Sequence, residues 1–168
     1  MEIEQTQKYS FLAKAFHWGF ILLFGYGIFK QVDELEQLAD QALLKFELLF
    51  AIAFLLLLVA RFIYMKKTQT SSLPATTSRL QQYAAKIVHY GMYLCLASIS
   101  ISGILIGVLY WSGIKSGFII NGVISVHEFS FALIYILIAI HISAAIYHRF
   151  LRDGVWNSMV PFWKEKLD

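Results

Sequence analysis

Val126–Arg149, VHEFSFALIYILIAIHISAAIYHR, decides the fold of this chain. The stretch is almost uninterruptedly apolar and long enough to cross a bilayer as a helix. Yet it carries His127, His141 and His148. At 100° per residue, fourteen residues return a helix to within about 40° of its starting direction, so His127 and His141 share a face. A rise of ~1.5 Å per residue separates them by about 21 Å along the axis, most of a ~30 Å hydrocarbon layer. Two imidazoles on one stripe of a membrane helix, one near each side, point to ligands for two stacked prosthetic groups.

The composition agrees with a membrane setting. Of 168 residues, 58% are hydrophobic and 15% charged, where a soluble domain averages about a quarter charged. The class is therefore an integral membrane protein. Cys95 is the only cysteine, which excludes a disulfide scaffold and leaves it as a small core side chain. The start, MEIEQTQKYS, has acidic residues in place of a basic n-region. No small-residue cleavage site follows the first apolar run, so that run is expected to stay as a membrane helix.

Four apolar segments, about 11–29, 43–65, 84–111 and 118–147, are each long enough to span a bilayer. They predict an all-α, up-down-up-down four-helix bundle, a single transmembrane unit over residues 1–168. QVDELEQLADQ, between the first two, reads as a short surface helix. KKTQTSSLPATTSRLQQ reads as a solvated loop and WSGIKSG, with two glycines, as a tight turn. Nothing in this organisation points to nucleic acid.

The basic residues sort by side. Lys8, Lys14, Arg61, Lys66, Lys67, Arg79, Lys86, Arg149, Arg152, Lys164 and Lys166 fall on one side of such a bundle; Lys30, Lys45 and Lys115 fall on the other. Eleven against three across short loops is a strong positive-inside signal and predicts that both termini are cytoplasmic. Trp18, Tyr110, Trp111, Trp156 and Trp163 are expected as interface anchors, where amphipathic rings are favoured.

Ionisable groups inside membrane helices are rare and costly, and usually face the bundle interior with a partner. Here His17 falls in the first helix, Glu47 in the second, His89 in the third, and His127, Glu128, His141 and His148 in the fourth. All five histidines thus lie in or at the edge of apolar segments. His17 lies about six residues, ~9 Å, from the cytoplasmic end of its helix, and His141 about eight, ~12 Å, from that of its own. The two imidazoles are at similar depth, as a pair facing each other across a haem iron would be. Such bis-imidazole ligation suits a low-spin electron-transfer haem. Gly19, Gly25, Gly27, Gly103 and Gly107 would let a flat macrocycle approach the backbone. Gly103 and Gly107 also form a small-xxx-small pair, which equally serves close helix packing.

At these residues the chain resembles the bacterial cytochrome b-561 family, related to the di-haem cytochrome b subunits of hydrogenases and formate dehydrogenases. KAFHWGF in the first helix, LLLLVARF ending the second, VHYGMYL opening the third, and SVHE, IAIHISAAIYHRFLRDG and MVPFW in and after the fourth carry the likeness. The resemblance implies a multi-pass haem protein of the bacterial inner (cytoplasmic) membrane that exchanges electrons with quinone. By position, His17 and His141 match the ligand pair of the cytoplasmic-side haem b, and His127 matches one ligand of an outer-side haem.

The family pattern sets a histidine early in the second helix, followed by Lys and, four residues on, Gly. The corresponding position here, fourteen before Arg61, is Glu47, followed by Leu48 and Ala51. Three readings stay open: Glu47 ligates or neighbours the iron of an altered outer haem, Lys45 substitutes, or the outer haem is absent and Glu47 hydrogen-bonds His127. Two haems ~20 Å apart would relay electrons across most of the membrane, whereas the inner one alone would confine exchange to the cytoplasmic half.

Among the remaining groups, His89, Lys86, Arg61 and Arg149 lie where haem propionates would be met. The arginines also suit snorkelling to the interface. His148 lies where a quinone or its protons would be handled, and Glu128 is expected to cap the helix start. Members resembling this chain oxidise superoxide and reduce ubiquinone, so a superoxide:ubiquinone oxidoreductase is the concrete expectation. The alternative is a haem-binding membrane anchor subunit that passes electrons between a separate redox partner protein and the quinone pool.

Overall fold

The computed structural model describes residues 9–32, 34–69 and 71–164, so Lys8 and Lys166 of the charge count lie outside the described residues. The fold is all-helical. Four helices dominate, α1 (Phe11–Phe29), α2 (Gln41–Thr68), α3 (Arg79–Trp111) and α4 (Phe118–Leu151), followed by a short α5 (Val155–Met159). All four long helices are apolar enough to cross a membrane. Leu35–Ala39, between α1 and α2, forms a single 3-10 helix as the acidic segment predicted.

Three of the four helices outrun their apolar segments. α3 and α4 have 33 and 34 residues, about 50 Å at 1.5 Å per residue, against a hydrocarbon layer of ~30 Å. Hydropathy marks the part in lipid, while capping residues mark where the helix begins. Ser78 accepts the backbone N–H of Gln81, whose side chain reaches back to the Ser78 N–H. This capping box starts α3 five residues before the apolar run. Asp40 starts α2 by accepting the N–H groups of Ala42 and Leu43. At the α3–α4 turn, Gly113 and Gly117 take φ values of 84° and 102°, a region that a Cβ makes costly. α4 therefore begins at Phe118, and Glu128 lies well inside it, not at its cap.

Neighbouring helices meet in opposite sense. Ser10 hydrogen-bonds Tyr64 near the end of α2, while Gly27 touches Phe50 nearer its start. Arg61 reaches Tyr93 and Leu48 reaches Gly107, so α2 and α3 also run antiparallel. The α3–α4 pair is the most extensively packed, with Gly91 against Leu137, Ser98 against Ser130, and Gly103 against His127. α1 leans on α2 through Phe20, which packs with Phe54 and Leu58. It faces α4 through side chains, Phe24 stacking on Phe131 at 6.3 Å.

Little of this surface suits water. Leu22, Leu49, Leu94 and Phe129 are each about 70% exposed, at 74%, 68%, 72% and 68%, which is the outer face of a bundle whose solvent is hydrocarbon. Tyr110 is an exception to the interface-anchor expectation. It is buried in a cluster with Leu38 and Leu44, below the Lys115 ammonium.

Gly107 is a packing residue: a Cβ there would lie 2.6 Å from Leu48 Cδ2 and 2.9 Å from its Cγ. Gly107→Ala is expected to lower stability in detergent by ~1–3 kcal/mol. Leu48→Ala in the same chain should recover part of that loss. Thermal unfolding of the two single variants and the double variant checks the coupling; strictly additive losses would contradict the contact.

Candidate functional site

The half of the bundle that holds the start of α1 and the end of α4 gathers three imidazoles and one guanidinium. His17 on α1 and His141 on α4 have ring centres 6.3 Å apart, and His89 on α3 meets His141 edge-on at 5.0 Å. Arg61 enters from α2, although its charge and its place near the helix end suited snorkelling. Its Nη1 donates to the Tyr93 hydroxyl at 2.9 Å and its Nη2 to His17 Nδ1 at 3.2 Å. The guanidinium also stacks over Phe20 and Tyr93, which lowers the cost of its burial.

These bonds assign protons. Arginine only donates, so His17 Nδ1 accepts and a neutral His17 carries its hydrogen on Nε2. His89 is the reverse: Nδ1 donates to the Ala85 carbonyl at 2.6 Å, leaving the Nε2 lone pair exposed on the ring. Arg61 Nε is buried without a hydrogen-bond partner. A buried orphan donor on a charged group is costly, so this guanidinium is one acceptor short.

Beyond α4 the chain doubles back. Arg152 and Gly154 adopt left-handed conformations, with Asp153 between them. Asp153 Oδ2 accepts His148 Nδ1 at 2.5 Å, and its Oδ1 accepts the Val155 N–H that opens α5. The returning segment then reaches α1. The Trp18 indole N–H donates to the Met159 carbonyl at 3.3 Å, its ring meets Phe162 at 5.1 Å, and Lys14 Nζ donates to the Asn157 carbonyl. Arg149 and Trp156 both donate to the Trp163 carbonyl. Trp18 and Trp156 thus spend their indole N–H groups inside the protein. The strap joins α1 to α4 next to His17, at the level of the imidazole cluster.

The opposite half, toward the α3–α4 turn, is sparser. His127 Nδ1 lies 2.8 Å from Ser102 Oγ, and that hydroxyl already donates its one proton to the Ser98 carbonyl at 2.5 Å. His127 must therefore be the donor, through Nδ1–H, and its Nε2 carries a lone pair. The ring packs on Phe131, and a Cβ on Gly103 would lie 3.4 Å from its Cε1. Glu47 Oε1 is buried and has no hydrogen-bond partner. Among the described residues His127 Nδ1 bonds Ser102 and Glu47 Oε1 bonds nothing, while Lys45 is exposed.

A family profile described as prokaryotic cytochrome b561 matches residues 8–162. The chain belongs to the prokaryotic cytochrome b561 family. No curated protein and no solved structure matches it. Membership in this family makes it a membrane b-type cytochrome that binds haem b and transfers electrons. The structure has the means to hold that group. Two metal–imidazole bonds of ~2 Å would set ring centres about 6 Å apart, close to the 6.3 Å between His17 and His141. Arg61 Nε, beside them, is a buried donor that has no acceptor.

The glycines divide. Gly27, Gly103 and Gly107 are filled by Phe50, His127 and Leu48, while a Cβ on Gly19 or Gly25 would meet nothing within 4 Å. Tyr93, Ser102 and Asp153 are site neighbours that the sequence analysis missed. Tyr93 and Ser102 carry no local signal, because each is defined by a partner on another helix. Asp153 had one, the turn-forming Arg-Asp-Gly triplet after an apolar helix.

The strap yields a test. Trp18→Phe keeps an aromatic ring beside Phe162 but removes the N–H that holds Met159, a loss of ~1 kcal/mol from the hydrogen bond. Limited proteolysis within 155–163 is expected to speed up several-fold in that variant. Gly19→Ala should leave the rate unchanged. Equal rates in all three proteins would show that the indole bond does not hold the strap.

Proposed function

We propose that this cytochrome carries single electrons between a donor and ubiquinone in the bacterial inner membrane, as one transmembrane unit with both termini cytoplasmic. The observation that carries the reading is the 6.3 Å separation of the His17 and His141 rings, on two helices that otherwise face each other only through side chains. The haem supplies a one-electron couple, and ligation by two imidazoles leaves no position for substrate.

The chain's own residues do the rest. His17 and His141 are the residues that would hold the iron, His17 then carrying its hydrogen on Nδ1. Arg61 would in that case give up its bond to His17 and be free for a propionate, an acceptor of the kind that its Nε lacks; a carboxylate–guanidinium pair suits a bidentate contact. His89, held by Ala85 through Nδ1–H, lines the same level and would meet a second propionate only with Nε2 protonated as well. His148 is the residue proposed for the quinone: Asp153 fixes its Nδ1 side, so Nε2 is the nitrogen left to give or take a proton as the quinone oxygen changes charge. The eleven-to-three basic split of the sequence sets this end in the cytoplasm.

Superoxide is the proposed donor, reached from the outer face. In the second reading the chain is an anchor subunit whose donor is a separate protein; its short loops, such as the turn at 112–117, leave surface for docking.

Reduced-minus-oxidised spectra of the purified chain should show a sharp low-spin α band that His141→Ala abolishes and Arg61→Gln retains with faster haem loss. An unchanged band in His141→Ala would sink the ligand assignment. Quinone reduction by superoxide with the isolated chain favours the enzyme; a stoichiometric co-purifying partner with no such activity favours the anchor subunit.

A further inference from the structure

The chain has five histidines, and the structure accounts for four of them away from the outer half. His17, His89 and His141 meet at the inner level, and His148 faces Asp153. His127 is left alone, so no second imidazole exists to complete a bis-histidine site there. Its ring is nevertheless prepared as a metal ligand. Ser102 holds Nδ1–H and thereby fixes both the tautomer and the ring plane, leaving the Nε2 lone pair. Anchoring of the far nitrogen is the usual support of a ligating histidine. Gly103 gives the ring room against α3.

Glu47 belongs to the same layer of the bundle. Leu48, its neighbour, packs on Gly107, one helical turn from the Gly103 that meets His127. A buried carboxyl oxygen without a partner, inside a membrane helix, is a costly feature that marks a functional group by default. Lys45 is exposed.

We propose that the outer half holds a second haem through His127 alone, so that its iron keeps one coordination position open to a small neutral ligand of the carbon monoxide or dioxygen class, with Glu47 as the polar group of the same layer. One-sided histidine ligation is what separates a ligand-binding haem from a closed electron carrier, and the polarity of the open side then decides what binds. The chain therefore combines one closed and one open iron. This rests on the haem binding of the proposed function but not on the assignment of the inner ligands.

Carbon monoxide difference spectra on the dithionite-reduced, haem-replete full chain test the proposal. The expected result is a carbon monoxide-reactive haem beside an unreactive low-spin one. His127→Ala should remove the reactive haem while the inner α band persists. Glu47→His should convert the outer haem to low spin and abolish its reactivity. That second variant decides the matter should His127→Ala fail to assemble. A wild-type chain with no reactive haem overturns the proposal and leaves the inner site standing. So does carbon monoxide binding that survives in His127→Ala or is unchanged in Glu47→His. A chain that retains no haem at all would instead overturn the proposed function.

Discussion

A polar side chain in hydrocarbon must find its partner within the protein, because no water is there to supply one. In this bundle that constraint picks the helix faces that meet. Ser98 pairs with Ser130 across α3 and α4 at 2.8 Å, and Ser102 takes His127 one turn further out. Arg61 brings α2 to α1 and α3 at once, through His17 and Tyr93. Leucine and phenylalanine are nearly indifferent between a lipid tail and another helix, so they cannot by themselves fix a register. The few polar contacts, with close glycine approaches, do.

The same bonds set the chemistry. A neutral imidazole has one donor and one acceptor nitrogen, and whatever binds the first decides what the second can do. The Ala85 carbonyl and the Ser102 hydroxyl each accept a hydrogen bond from Nδ1–H, so His89 and His127 present lone pairs at Nε2. Arg61 does the opposite to His17. Three imidazoles that look alike in the sequence are therefore different reagents in the fold. The difference comes from one carbonyl, one hydroxyl and one guanidinium.

Much of this was legible beforehand. Four long apolar runs give four long helices because a backbone in lipid has few other ways to satisfy its N–H and C=O groups. The matched depth of His17 and His141 was legible as well, since helix rise is constant. What periodicity cannot convey is pairing between distant segments. Arg61 reads as a snorkelling cation from its own neighbours, yet it turns inward because His17 and Tyr93 wait there. Tyr110 reads as an interface ring, yet the 3-10 segment around Leu38 covers it. Helix ends were misjudged for a simpler reason: hydropathy follows the lipid, whereas Ser78 and Asp40 start helices outside it.

The strap has a consequence for biogenesis. Trp18 and Met159, bonded to each other, are 141 residues apart in the chain. Synthesis runs from the N-terminus at roughly 5–20 residues per second, so α1 must wait beside an open flank for many seconds until the segment around Met159 emerges. The wall that joins α1 to α4 cannot close before that segment has been made. Until then the gap between His17 and His141 stays accessible from the side, and cofactor insertion and closure by the strap become successive stages of one assembly.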